Sequence, residues 1–288
     1  MNVKLRPGTP EDAETCGRIC YEAFGAIARK HGFPSDIPAP EVGVGVVSML
    51  LAHPGFYSVV AEANGKVVGS NFLDERSAIA GVGPITVDPT VQDRGIGRVL
   101  MQAVIKRAAD RGNPGVRLLQ SAYHTRSLSL YANLGFQVRD LLACIQGTPP
   151  QGEVAGYRIR RATAADAEAC ASVCRRVHGH DRTGELSDAI EQGTALVVEH
   201  DGRISGYAGD LAFFSHAVGE SNEDLKALIM AADAFAGPGI LVPTTNAELF
   251  QWCLERGLRV VHLMTLMTTG LYNPPQCQGT GRSERWRT

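Results

Sequence analysis

Polar and apolar residues alternate along this chain with two different periods. From Arg98 onward the apolar positions Leu100, Met101, Val104, Ile105 and Ala108 recur at helical spacing, which predicts a helix. Just before it, Ile85-Thr-Val is a short β-type run, ended by Asp88-Pro89 because proline cannot continue a ladder. Ser58–Gly69 and Ala195–Gly206 each read as strand, turn, strand around Asn64-Gly65 and Asp201-Gly202, a strong hairpin signal. Leu128–Phe136 and Phe250–Leu258 each read as a helix closed by a C-cap glycine, Gly135 or Gly257, and then a strand.

These pairs belong to one internal repeat. Residues 4–20 (KLRPGTPEDAETCGRIC) match residues 158–174 (RIRRATAADAEACASVC), with Arg6/Arg160, Thr9/Thr163, Asp12/Asp166, Cys16/Cys170 and Cys20/Cys174 coinciding. In both copies a short strand meets Thr-x-x-Asp-Ala-Glu, a helix start with a capping hydroxyl and acids in its first turn. Each half therefore reads strand, helix, hairpin, strand, helix, strand, helix, strand, an α/β order with a mixed sheet flanked by helices. The linker Gln146-Gly-Thr-Pro-Pro-Gln-Gly-Glu separates them. The expected domains are 1–146 and 154–273, with a polar, disordered tail over 274–288.

Composition narrows the function classes. A net charge of -2 over 288 residues gives no support for bulk nucleic-acid binding. No run approaches the ~18 apolar residues needed to span a bilayer, and no apolar leader precedes the first strand, so a cytoplasmic location is expected. The seven cysteines form no CxxC pair. Cys16/Cys20 and Cys170/Cys174, four apart, are expected as small buried thiols on one helix face rather than a metal clamp. The histidines show no metal-ligand spacing beyond the weak His178-Gly-His180 pair, and no metal is expected.

The chemistry concentrates in Val87-Asp-Pro-Thr-Val-Gln-Asp-Arg-Gly-Ile-Gly-Arg98. Strand, glycine-rich loop and helix follow in order, and free N–H groups at a helix start point at whatever fills the loop. Gly95 and Gly97 remove side chains that would hold a phosphate away, while Arg94 and Arg98 add positive charge. A P-loop is excluded because no Gly-Lys-Ser/Thr opens the helix. A dinucleotide fingerprint lacks its third glycine and would sit after a first strand, not in mid-domain.

The run Val-x-Pro-x-x-Gln-x-x-Gly-x-Gly resembles the acyl-CoA signature Gln/Arg-x-x-Gly-x-Gly/Ala of the GNAT acetyltransferase superfamily. Tyr123-His-Thr-Arg-Ser-Leu-Ser-Leu-Tyr-Ala-Asn-Leu-Gly-Phe resembles its second signature, Asn-x-x-Ser/Ala-x-x-x-Tyr-x-x-x-Gly-Phe. The resemblance spans about Val3–Cys144 fully and Val154–Tyr272 weakly, and it implies two tandem GNAT-like domains, the second degenerate. It implies acetyl-CoA as cosubstrate, with Ile85, Thr86 and Val87 as the splayed strand and the Val87 N–H as donor to the thioester oxygen. Gln92, Asp93, Arg94, Gly95, Ile96, Gly97 and Arg98 would surround the pyrophosphate, and Ser127 and His124 would complete the cofactor contacts. His124 departs from the family's usual Asn. Tyr131, which shares a helix face with Ser127, would be the general acid that protonates the departing thiolate.

The second half has lost these features. Acids Glu220, Glu223 and Asp224 occupy the matching helix start, Cys253 stands at the position of Tyr131, and Asn246 at that of His124. One cofactor site is therefore expected, with the second domain shaping the acceptor pocket or a subunit interface. A base is needed because an alkylamine is mostly protonated at neutral pH. Asp74, Glu75, Glu22 and His31 are candidates, none singled out by the sequence. The expected reaction is N-acetylation of a small-molecule primary amine. A protein lysine or N-terminal acceptor, or a non-catalytic acyl-CoA sensor, are the alternatives, and a homodimer is the assembly considered.

Overall fold

The computed structural model describes residues 3–276. The first half folds as β1 (Val3–Pro7), α1 (Ala13–His31), α2 (Pro40–Ala52), β2 (Phe56–Ala63), β3 (Lys66–Asp74), β4 (Ile79–Val82), β5 (Thr86–Val87), α3 (Ile96–Asp110), β6 (Gly115–Ser121), α4 (Thr125–Ala132) and β7 (Gln137–Gln146). The second half follows as β8 (Tyr157–Arg161), α5 (Ala167–His178), α6 (Thr183–Glu191), β9 (Leu196–His200), β10 (Arg203–Ala208), β11 (Ala217–Gly219), α7 (Asn222–Met230), β12 (Ile240–Pro243), α8 (Ala247–Glu255) and β13 (Arg259–Gly270). Both hairpin turns take the left-handed backbone that their residue types tolerate, with φ of 52° and 73° at Asn64 and Gly65 and 50° and 74° at Asp201 and Gly202.

The repeat is visible as identical chemistry. Arg6 reaches across its strand to donate to both Asp12 oxygens at 2.7 Å and to Glu62 at 2.6 Å. Arg160 donates to Asp166 and Glu199 at the same distances. In both copies the aspartate also accepts from the backbone N–H of the capping threonine, Thr9 or Thr163, at 2.9 and 2.8 Å. Each clasp ties the entry of a helix to its strand through charge-assisted hydrogen bonds. The helix cysteines Cys16, Cys20, Cys170 and Cys174 are buried in the two cores, as expected for small thiols.

Two units form. One consists of Met1–Ala143 and Val261–Tyr272, the other of Cys144–Val260 and Asn273 onward. The sequence boundary at 154–273 therefore differs from the structure at its end, because most of β13 belongs to the first unit. The reason is packing: β13 runs antiparallel to β6 from Met264 opposite Ser121 to Gly270 opposite Gly115. Its Met267 is fully buried in one cluster with Leu100, Met101, Val104 and Leu118. Chain order assigned this strand to the second half, whereas the apolar face it covers lies in the first unit. Residues 274–276, placed in the tail by the sequence, are among the described residues. Asn273 donates to the His178 carbonyl at 3.2 Å, and the Gln276 N–H to that of Val177 at 2.8 Å, both within the second unit. Residues 277–288, with Cys277, lie outside the described residues.

In the first unit the sheet runs β1-β2-β3-β4-β6-β13-β7, mixed because β4 and β6 are parallel while β1–β2, β2–β3 and β6–β13 are antiparallel. Helices α1 and α2 cross closely enough that a Cβ on Gly17 would meet the Val44 backbone at 2.4 Å, and one on Gly43 the Gly17 carbonyl at 2.5 Å. Glycine is required at Gly17 and Gly43 for that crossing. The second unit contains a four-stranded antiparallel sheet, β11-β10-β9-β8. Among the described residues no helix is long and apolar enough to cross a membrane.

Candidate active site

The pairing of β4 and β6 ends at Val82 opposite Leu118. Beyond that point β5 pairs with β3, and Leu119–Ser121 of β6 pair with β13, so the two strands part and leave a gap in the sheet. Val87 lies opposite Gly69, and the next residue, Asp88, donates its N–H to the Val68 carbonyl at 2.9 Å. Successive residues of an antiparallel ladder face opposite edges, so Val87 turns its backbone N–H and carbonyl away from β3 towards the gap. A Cβ on Gly69 would meet the Thr86 carbonyl at 2.6 Å, which is why β5 can lie this close.

The loop Gln92–Gly95 leads from β5 into α3. Gly95 is the N-cap, in the left-handed region at φ 82°, and no side chain caps the helix. The first helical bond is from Val99 to the Gly95 carbonyl, which leaves the N–H groups of Ile96, Gly97 and Arg98 without a helical acceptor. Ile96 is buried in the core, so only its backbone faces the loop, while Asp93, Arg94 and Arg98 are exposed. The Gln92 side chain is committed to bracing: its Nε2 donates to the Val87 carbonyl at 3.0 Å, and its Oε1 accepts from Arg126. Arg126, at the start of α4, also donates to both Asp93 oxygens at 2.9 and 3.0 Å. An acid in an otherwise anion-seeking loop is thus neutralised by an arginine that the sequence reading passed over.

Helix α4 carries the remaining residues. Tyr131 is 6% exposed, packs edge-on against Phe136 at 6.3 Å between ring centres, and burial pushes its phenol pKa upward. The Ser127 hydroxyl turns inward and is shared between Gln120 Oε1 at 3.0 Å and the His124 carbonyl at 2.9 Å. The Gln120 side-chain nitrogen beyond it is buried with no partner, as is His124 Nε2. Burial lowers the His124 imidazole to a pKa of about 4, with Arg126, His31 and Lys30 adding to the effect, so it is neutral at pH 7. Two orphaned polar atoms beside the parted strands and an uncapped helix start suit a ligand carrying amides and phosphates.

The second unit fills the helix start and the position that corresponds to His124. Helix α7 is capped by Ser221, which donates its hydroxyl and its N–H to the Asp224 carboxylate at 2.7 and 2.8 Å. Glu220 accepts from Arg176 and Arg203 at 2.6 Å each. Asn246 has nearly the same backbone angles as His124, but its side chain caps α8 through the Leu249 N–H and donates to Asn222 at 2.7 Å. Cys253 is fully buried, and burial pushes its thiol to about 11, leaving it an inert thiol.

Two of the base candidates are engaged elsewhere. Asp74 accepts from Arg76 at 2.7 Å, and Glu75 from Arg107 at 2.7 Å with Arg111 at 3.4 Å. Sequence reasoning also missed a buried pair, Asp36 and His262, with His262 Nε2 3.6 Å from Asp36 Oδ1. The signals existed: Gln120 and His262 are each a polar residue inside an apolar strand, in Leu-Leu-Gln-Ser and Val-Val-His-Leu-Met.

Comparisons with known proteins agree with this geometry. Residues 54–138 match the family model described as an acetyltransferase (GNAT) domain. Over 95 residues the chain is 33% identical to an uncharacterized N-acetyltransferase of Methanocaldococcus jannaschii, covering 31% of this chain and 41% of that protein. Over 92 residues it is 33% identical to a mycothiol acetyltransferase of Thermomonospora curvata, covering 32% and 31%. The matches thus span less than half the length of these curated relatives. A candidate acetyltransferase structure from Pyrococcus horikoshii superposes with a TM-score of 0.71 at 17% identity, over 96% of this chain and 91% of that one. A tandem GNAT protein from the clavulanic acid biosynthesis pathway gives 0.60 at 17% identity, over 93% and 98%. The fold of these two extends over nearly the whole chain, and the stretch matched by the acetyltransferase (GNAT) domain model, residues 54–138, holds the parted strands and the α3 loop.

Proposed function

We propose that the protein is an acetyl-CoA-dependent N-acetyltransferase that moves the acetyl group directly to a primary amine of a small molecule. The observation that carries this reading is the gap between β5 and β6, into which the Val87 N–H is turned beside the uncapped start of α3. In this reading the backbone N–H groups of Gly95–Arg98, with Arg94 and Arg98, hold the pyrophosphate. The orphaned Gln120 and His124 nitrogens meet the pantetheine amides. The Val87 N–H donates to the thioester oxygen as negative charge develops on it, a one-donor oxyanion site.

Tyr131 serves as the general acid. Its raised pKa keeps the phenol protonated throughout the physiological range, so a proton is always present for the departing thiolate. The second unit binds no cofactor, because its α7 start is self-capped and acidic. Calorimetry tests the reading: one acetyl-CoA per chain is expected, and two equivalent sites would overturn it. An acceptor panel of L-lysine, spermidine, an aminoglycoside and a peptide with a free N-terminus, read by thiol release, tests the acceptor class. Turnover of the peptide alone would move the assignment to a protein acceptor.

A further inference from the structure

The reaction needs a group that removes a proton from the incoming ammonium, and Asp74 and Glu75 are held by arginines. Within the first unit, a different cluster gathers where β6 ends. The Ala122 N–H donates to the Leu263 carbonyl at 2.8 Å, which sets Tyr123 beside His262 just past the parted strands. The loop after α1 closes over this point. Phe33 stacks on Tyr123 at 4.5 Å and 7° between planes, and His31 lies tilted at 5.4 Å from the same ring. His262 meets both rings edge-on, at 6.4 Å from Phe33 and 6.2 Å from Tyr123. Beneath these rings lie Asp36 and His262, 8% and 2% exposed, 3.6 Å apart.

A carboxyl group in so apolar a place has a poor structural reason to exist, since two apolar side chains would pack there without a desolvation cost. We propose that Asp36 and His262 form the proton-accepting pair of the acceptor side, reached past the half-buried Tyr123, and that His262 positions the carboxylate. This rests on the acyl-transfer reading above. Fully deprotonated, the pair carries one negative charge in a dry surround, so taking a proton neutralises it. Burial accordingly raises Asp36 and lowers His262, each being the other's charged neighbour. The remaining titratable groups around it are Tyr123, on which Asp36 acts, and His31 and Lys30, which act on His124.

The balance is complete without a further reagent. The ammonium gives one proton to the pair, and the amine lone pair then forms the C–N bond. The C–S bond breaks with its electrons on sulfur, which takes the Tyr131 proton. The surplus proton on the new amide nitrogen restores the phenol, and the pair releases its proton to solvent.

The test is the pH profile of kcat, measured with acetyl-CoA and the panel amine that releases most thiol. Wild type should lose activity as pH falls through the pair's titration. Asp36→Asn should lower kcat about 100-fold at pH 7, with acetyl-CoA affinity unchanged by calorimetry, and should move the limb towards the amine's own ionisation near ~10. Asp36→Glu should restore part of the rate, and His262→Gln should shift the limb with a smaller loss. An unmoved limb in Asp36→Asn that still binds acetyl-CoA overturns the proposal and leaves the acyl-transfer reading intact. Failure of every amine overturns that reading instead, and the pair is then read by the His262 ring nitrogens in the 15N-labelled full chain. They should show a titration step that Asp36→Asn moves; a step that stays where it is in the variant, or no step at all, sinks the proposal.

Discussion

Helices α3 and α7 begin at matching points of the repeat, yet their first turns are completed in opposite ways. At α3 the cap is Gly95, without a side chain, and three backbone N–H groups are left for something outside the protein. At α7 the cap is Ser221 locked to Asp224, so the helix satisfies itself. The second arrangement is the more stable helix start, and the first is the more useful one. Where the two halves agree, in the Arg–Asp–Glu clasps, they agree to within a tenth of an ångström, which marks the clasp as scaffold and the helix start as the place where function diverged.

The comparison breaks most directly at Gly97. A Cβ there would have only ordinary contacts, 3.5 Å from Leu130, so Gly97→Asp should fold while bringing an α7-like acid to the phosphate site. Like-charge placement of this kind costs several kcal/mol, so acetyl-CoA affinity should fall at least ~100-fold by calorimetry with Tm nearly unchanged. Unaltered affinity would remove the α3 start from cofactor binding.

Next in size is Tyr131, whose counterpart is the inert Cys253. Tyr131→Phe keeps the packing against Phe136 and should slow thiol release about 100-fold while leaving acetyl-CoA affinity within ~2-fold. Because burial raises the phenol's pKa, wild type should show no alkaline loss from this group below its ordinary value of ~10. An unchanged rate in the variant excludes Tyr131 as the acid.

The clasps should give matched, smaller effects. Asp12→Asn and Asp166→Asn each remove one carboxylate from an arginine fork and should each cost about 1–2 kcal/mol in urea unfolding. The folded pKa of both aspartates is depressed, first by the arginine hydrogen bond. Their contribution is therefore present above the unfolded value of ~3.9 and lost as pH falls below it through the folded value. A large difference between the two variants would mean that the clasp has also diverged.

The sequence made the scaffold legible because capping threonines, hairpin glycines and helical spacing act locally, within a turn or two of chain. It made the loop legible for the same reason, since Gly95 and Gly97 leave the start of one helix open. Three features were not legible. The place of β13 depends on which core covers Met267, a long-range packing question that chain order answered wrongly at the domain boundary. Asp36 and His262 are 226 positions apart, and only the β6–β13 register brings the second to the first. Gln92 reads as a free cofactor ligand until the fold shows its side chain held at both ends.

Arg126 offers the smallest effect and the finest distinction. In the first half an exposed arginine answers the exposed Asp93, whereas in the second half Asp224 is taken up by the helix cap itself. An exposed pair of this kind contributes little to folding, so Arg126→Ala should leave Tm within about a degree. Its loss nevertheless uncovers the Asp93 charge beside the phosphate site and frees one end of Gln92, so acetyl-CoA binding should weaken about 3- to 5-fold at low salt. That loss should shrink as ionic strength rises and the uncovered charge is screened. Asp93→Asn separates the two contributions, because asparagine tolerates the left-handed backbone at φ 63° while removing the charge. If Arg126 acts by neutralising Asp93, the double variant recovers most of the affinity lost in Arg126→Ala. If it acts by bracing Gln92, the double variant stays as weak as the single one, and the loop's geometry rather than its charge distinguishes the two halves.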